Sequence, residues 1–276
     1  MPLPAFDTQW LRALRASANQ PPLRARVPLW AGESVIGSVE TDFLDQIVSL
    51  PNALSHHQLL IKEQPAALGW RLMGDVTLSL NRVAVALRDA GLAGAWRDEQ
   101  LAVTDQWGHR KGTIERAAVR PLGITTLAVH LVGQTTDGRF WVQQRALDKS
   151  NDPGLCDTLT GGMVSSCETV DAALARETWE EAGLQIADLQ CVRYGGCLST
   201  SRPAHDGGGA GYVHEQIEWY CCTVPDGMLP VNQDGEVEEF RLMDTAQLLE
   251  AMQRGEFTLE AALILADVMG LDSDLA

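Results

Sequence analysis

Glu177, Glu180 and Glu181 are spaced i, i+3, i+4 in a segment that runs from Gly161 to Leu184. If that segment is helical, the three carboxylates crowd one face. The helix has a legible end, because Gly183 can take the left-handed conformation just past the last turn and Leu184 can fold back on it. Crowded carboxylates resist ionisation unless a cation compensates them. A hard divalent ion such as magnesium takes oxygen ligands, keeps water and bridges carboxylates to phosphates, so this pattern points to phosphate chemistry. Arg176 follows as the residue that orients the carboxylates through its guanidinium fork, and Glu168 as the residue that holds Arg176. Ala175, Thr178, Trp179 and Ala182 form the face expected to rest on a sheet. A lone Glu-x-x-Glu-Glu is more often a solvated acidic helix, so the rest of the segment has to decide.

It does so as a set. Gly162, Glu168, Arg176, Glu177, Glu180, Glu181, Gly183 and Leu184 together resemble the Nudix box, with Thr178 departing from the aliphatic residue usual at that packing position. The resemblance implies an α+β Nudix fold, a mixed sheet sandwiched between helices, with the glycine-opened loop and helix beside the metals. It also implies that Glu177, Glu180 and Glu181 are metal ligands, that the Gly161 carbonyl is a further ligand and that Glu177 doubles as base. Magnesium is the implied cofactor, with manganese able to substitute. Gly94 to Glu99, Glu115 to Ala118 and Asn232 to Phe240 resemble a Nudix subfamily that is fused in fungal relatives to thiamin pyrophosphokinase. That likeness implies hydrolysis of thiamine diphosphate and, better, its oxo and oxy analogues to the monophosphate and phosphate. Hydrolysis of nucleoside diphosphate-X compounds is the alternative, followed by isoprenoid diphosphate isomerisation or a catalytically silent binding module. The paired Glu180 and Glu181 favour a hydrolase over both of the last two.

Further candidates are weaker. Glu236 and Glu238, beside Glu239 after the turn at Asp234-Gly235, offer one more ligand or base, with solvated strand residues as the alternative; Glu215 and Glu218 carry the same ambiguity. Arg145 and Lys149 are placed to grip a terminal phosphate, against ordinary surface placement. Ala204 to Gly211 is too glycine-rich for a regular element and reads as a mobile lid or a disordered loop. His56-His57 form no metal-ligand pattern.

The elements that must position these groups divide the chain at about residue 118. An N-terminal α+β domain, 1–118, shows a helical pattern at Phe6, Trp10, Leu11 and Leu14, and strand-like sequence from Val27 to Val39 around Gly32. It continues with a short helix from Asp42 stopped by Pro51, a strand from Gln58 to Ile61, and a helix from Asn81, as cap, to Gly91. This domain is expected to select the organic group, with Trp70, Trp96 and Leu92 available to line a pocket at the interface. The Nudix domain, 119–276, opens with two apolar strands, Ile124 to Val132 and Phe140 to Gln144, joined across Thr135 to Gly138. With 45% hydrophobic and 21% charged residues the chain reads as globular, and a formal charge of -16 disfavours nucleic acid or an anionic membrane as partner. Six cysteines without a Cys-x-x-Cys pair, a start without a basic apolar signal and the lack of a ~20-residue apolar run point to a reducing, cytoplasmic setting. A small-molecule diphosphate is thus the expected partner; oligomeric state is left open.

Overall fold

The computed structural model describes residues 6–48, 60–63 and 69–271. Helix α1 (Thr8–Ala18) is capped by Asp7 and leads to the antiparallel pair β1 (Arg26–Ala31) and β2 (Ser34–Glu40), which turns at Gly32 with φ of 58°. After α2 (Asp45–Val48), strands β3 (Leu60–Glu63) and β4 (Gly69–Leu72) complete a sheet of order β2-β1-β4-β3, in which β1 and β4 run parallel. Pro51 and His56-His57 lie outside the described residues. Helix α3 (Val76–Asp89) begins earlier than its sequence suggested: Asp75, not Asn81, is the cap, accepting the N–H of Leu78 at 2.9 Å. Asn81 sits inside the helix because its amide is needed elsewhere. It donates to the Thr113 carbonyl and accepts the N–H of Glu115, tying α3 to the hairpin of β5 (Gln100–Thr104) and β6 (Arg110–Glu115).

The larger sheet comprises β7 (Thr125–Gln134), β8 (Phe140–Arg145), β9 (Cys156–Asp157), β10 (Thr160–Met163), then, after α4 (Val170–Ala182), β11 (Gln190–Ala204), β12 (Gly211–Thr223) and β13 (Val237–Met243). Its main path is β11-β12-β7-β8-β13, with β10 on β7 and β9 on β8. Only β12 and β7 run parallel, so the sheet is mixed. The expected β7–β8 turn is present, with Gly138 at φ of 85°. Helices α5 (Thr245–Gln253) and α6 (Leu259–Val268) follow, the first opened by a reciprocal capping box of Asp244 and Gln247.

The period-2 alternation of β7 divides the interior. Val129 and Leu131 join Leu174 and Ala182 of α4 in one core, whereas Ala128 and Val132 join α5, α6 and Leu11 of α1 on the opposite face. Cys221 and Cys222 fall in these two different cores, and all six cysteines are free. A third core unites β1, β2, α3 and the β5–β6 hairpin with Met163 and Ala210, so the N-terminal sheet shares its core with the end of β10, the strand that leads into α4. The α+β, sheet-between-helices architecture is as expected.

Candidate active site

Helix α4 is fixed at both ends. Thr169 caps its start, and Gly183, at φ of 63°, donates its N–H to the Trp179 carbonyl at 2.8 Å while Leu184 reaches back to that of Thr178. Its orientation differs from the expected one. Ala175 and Trp179 are exposed, and the buried stripe is Ala173, Leu174, Thr178, Glu181 and Ala182. The stripe is set by Ala173, Leu174 and Ala182, which join the core between α4 and the sheet, so one glutamate turns inward with them while the larger Trp179 is left exposed. Thr178 is fully buried, and its hydroxyl is satisfied by the Leu174 carbonyl at 2.6 Å, which reconciles a polar residue with this packing position. Gly161 and Gly162 lie on strand β10 and not in a loop.

Arg176 organises the acidic face as its type and spacing suggested. Its Nε and Nη2 donate to Glu168 at 2.6 and 3.0 Å, and Nη1 donates to Glu177 at 2.7 Å and Glu180 at 2.9 Å. Glu168 is accordingly held below the usual carboxylate range, chiefly by this guanidinium. Glu177 behaves oppositely: burial pushes its carboxyl up to about 7 despite Arg176. Gly162 is required beside it, since a Cβ there would stand 2.1 Å from Glu177 Oε1.

Glu181 is the most confined of the three, with no exposure. Its Oε2 accepts the Gly161 N–H at 2.8 Å and Gln143 Nε2 at 3.0 Å, while Oε1 has no hydrogen-bond partner among the described residues and lies 3.6 Å from Lys149 Nζ. Burial raises its pKa to about 8, with Lys149 opposing. A buried, unsatisfied carboxylate oxygen on the same helix as the half-buried Glu177 carboxylate is a donor set suited to a hard divalent cation. Among the described residues no three acidic, histidine or cysteine side chains form a closed metal cage, because Arg176 stands between Glu177 and Glu180.

Glu177, Glu180, Arg176 and Glu168 open into a cleft of about 550 Å³, which Glu181 does not line and which is continuous along one wall with a second of about 530 Å³. Lys149 and Arg145 both line it. Lys149 is ion-paired with Glu236, and Arg145 donates to Asp157 at 3.3 Å. Burial raises the pKa of Glu236, but Lys149 and the charges of Arg116 and Arg97 bring it below the usual value. Glu238 is exposed and does not line the cleft: the pairing of β13 with β8 shifts register between Val237 and Glu239, so the side that holds Glu236 does not carry on to Glu238. Glu215 does line it, accepting from Thr126 at 3.0 Å; Glu218 instead accepts from Tyr194 at 2.6 Å outside it. The glycine-rich 204–211 segment is no free lid. Strands β11 and β12 pair up to Ala204 and Gly211, and Asp206 accepts from Arg120 at 3.3 Å. The N-terminal part reaches the cleft through Arg97, Glu99 and Arg116, whereas Trp70 is buried in the core and Trp96 and Leu92 pack against it. No periodicity marks these charged residues; only their place in two otherwise unexplained stretches could have singled them out.

A NUDIX domain family model matches residues 124–264. The chain is 26% identical over 262 residues to the chloroplastic Nudix hydrolase 20 of Arabidopsis thaliana, covering 88% of this chain and 67% of that protein. It is 30% identical over 167 residues to the chloroplastic Nudix hydrolase 24 of the same plant, covering 57% and 43%. Across the first curated relatives it matches, the chain spans 43% to 67% of their length. A solved structure from Deinococcus radiodurans superimposes with a TM-score of 0.49 at 21% identity, covering 60% of this chain and 97% of the other. Among the described residues, no helix is long and apolar enough to cross a membrane.

Proposed function

The chain belongs to the Nudix hydrolase family, and from that premise we propose that it cleaves the diphosphate linkage of thiamine diphosphate or its oxo and oxy analogues, releasing the monophosphate and inorganic phosphate. The observation that carries the hydrolytic reading is that Glu177 and Glu180 line one cleft, aligned by Arg176, with the buried Glu181 of the same helix 3.6 Å from Lys149, which lines that cleft too. Support for the substrate comes from Gly94 to Glu99 and Glu115 to Ala118, the stretches that resemble the thiamin-linked subfamily, which border the same cleft.

Nudix hydrolases use divalent metal as a family. Here magnesium, or manganese in its place, would be held by Glu177, Glu180, Glu181 and the Gly161 carbonyl, and when bound it supplies Lewis-acid neutralisation of the diphosphate charge. The chain's own residues do the rest. Gln143 and the Gly161 N–H fix the direction of Glu181, and Glu168 locks the guanidinium that spaces Glu177 from Glu180. Glu177, with its carboxyl near 7, is matched to accept a proton from the attacking water at neutral pH. Arg145 and Lys149 set positive charge at the phosphate end of the cleft.

The test is incubation of the purified protein and magnesium with thiamine diphosphate, its oxo and oxy analogues, nucleotide sugars and dinucleotides, with products identified by mass. Monophosphate and phosphate from the thiamine compounds at the highest kcat/KM are expected. A higher kcat/KM for any nucleotide compound overturns the substrate assignment.

A further inference from the structure

The stretches Gly94 to Glu99 and Glu115 to Ala118 meet at a buried carboxylate. Glu115 is 1% exposed, and its Oε1 accepts the N–H of Arg97 at 3.0 Å and that of Ala117 at 3.3 Å. Its own N–H donates to Asn81, and the N–H of Arg116 donates to the Glu99 carbonyl at 2.9 Å. Both backbone segments are therefore locked to α3 and to each other, and Arg97 and Arg116 emerge on the wall shared by the two halves of the cleft.

Neither guanidinium is saturated. Arg116 donates from Nη1 to Glu99 at 2.7 Å, and Arg97 from Nη2 to Ser150 at 3.2 Å. A guanidinium carries about five N–H donors, so each arginine keeps several for a ligand. Lys149 adds a third cation, beside Glu236 and 3.6 Å from Glu181. Three cations from both parts of the chain thus line the cleft that Glu177 and Glu180 also line.

We infer that Arg97 and Arg116, with Lys149, form the seat of the substrate's terminal phosphate, so that the chain selects diphosphates with one free end over those esterified at both. An unesterified terminal phosphate has one more anionic oxygen than an esterified one, and the planar guanidinium fork engages two such oxygens at once. This subsite rests on the reading of the glutamate cluster as the hydrolytic centre. Glu115 and Glu99 act as positioning residues, holding the two arginines at a fixed separation.

Binding of non-hydrolysable compounds tests the inference without turnover. The full chain with magnesium is titrated calorimetrically with methyl methylenediphosphonate, which has one free end, and with its P,P′-dimethyl ester. The free-ended compound should bind about tenfold or more tightly than the capped one, and Arg97→Ala or Arg116→Ala should each weaken it about tenfold while leaving the capped compound within about twofold. Arg97→Lys and Arg116→Lys should retain part of the preference, and they carry the test should an alanine variant lose its thermal transition. Equal binding of the two compounds by the wild type, or equal weakening of both in the variants, overturns the subsite. Absence of hydrolysis across the substrate panel would remove the proposed function and leave this binding result standing.

Discussion

Glu181 Oε1 is buried without a hydrogen-bond partner among the described residues, and Glu177 and Glu180 share a single guanidinium nitrogen. Replacing Glu180 or Glu181 by Gln removes charge and preserves volume, so turnover should fall by roughly a hundredfold or more, with weaker magnesium affinity and the fold retained. Wild-type turnover by either variant at saturating magnesium would show the ligand assignment to be wrong. The raised pKa of Glu181 also sets a pH dependence. Between the unfolded value near ~4.3 and the folded value of about 8, the folded chain keeps a proton that the unfolded chain has released. Stability from this group is therefore complete below that window and is lost as pH rises through it. In a chelator, the thermal transition should decline from pH 5 to pH 8, and Glu181→Gln should flatten the decline. Added magnesium, which favours the ionised form, should raise the transition more at pH 8 than at pH 6. A transition in chelator that climbs steadily over the same range would count against the assignment.

At the level of the element, α4 is rotated so that Leu174 and not Trp179 faces the sheet, and this rotation carries Glu181 into the interior. Thr178 bonds only within its own helix, so Thr178→Val should change stability by no more than about 1 kcal/mol and leave magnesium affinity unaltered. Gly183 is different. It is left-handed, and a Cβ there would stand 2.7 Å from the Val231 carbonyl oxygen. Gly183→Ala should cost about 1–3 kcal/mol in denaturant unfolding, as backbone strain adds to the contact. A neutral result would show that the segment after α4 yields freely. The β11–β12 hairpin teaches a related lesson: a run of glycines that reads as a lid serves as the turn of a long paired ribbon, with Gly207, Gly208 and Gly209 all at positive φ.

At the scale of the whole molecule, the acidic balance extends into the cleft: beside the formal charge of -16, seven of the 21 lysines and arginines and ten of the 37 aspartates and glutamates line it, so long-range attraction does not draw a small anion in and local contacts must hold it. Helix α1 belongs physically to the layer of α6, since Leu11 is fully buried in that core. Leu11→Ala should therefore cost about 2–5 kcal/mol and lower the thermal transition of the full chain. An unchanged transition would show that α1 is only loosely held. For the same reason, deleting residues 1–118 would take Leu11 out of the core that α1 shares with α5 and α6, along with the N-terminal sheet.

What the sequence determined by itself was local. Glutamate spacing, the stop at Gly183, the β7–β8 turn and the alternation of Cys221 and Cys222 follow from helical and strand periods and from glycine's conformational freedom, none of which needs a distant partner. Hence the acidic cluster, its arginine and the α+β class were legible before any coordinates. The tertiary structure alone decided which side of α4 is buried, that Glu236 enters the cleft while Glu238 leaves it, and that Asn81 bridges elements instead of capping one. It also decided that Arg97 and Arg116, separated by 18 intervening residues, stand on one wall because a buried Glu115 joins their backbones. These outcomes depend on contacts between segments far apart in the chain, where burial and hydrogen-bond satisfaction, and not local period, select the arrangement.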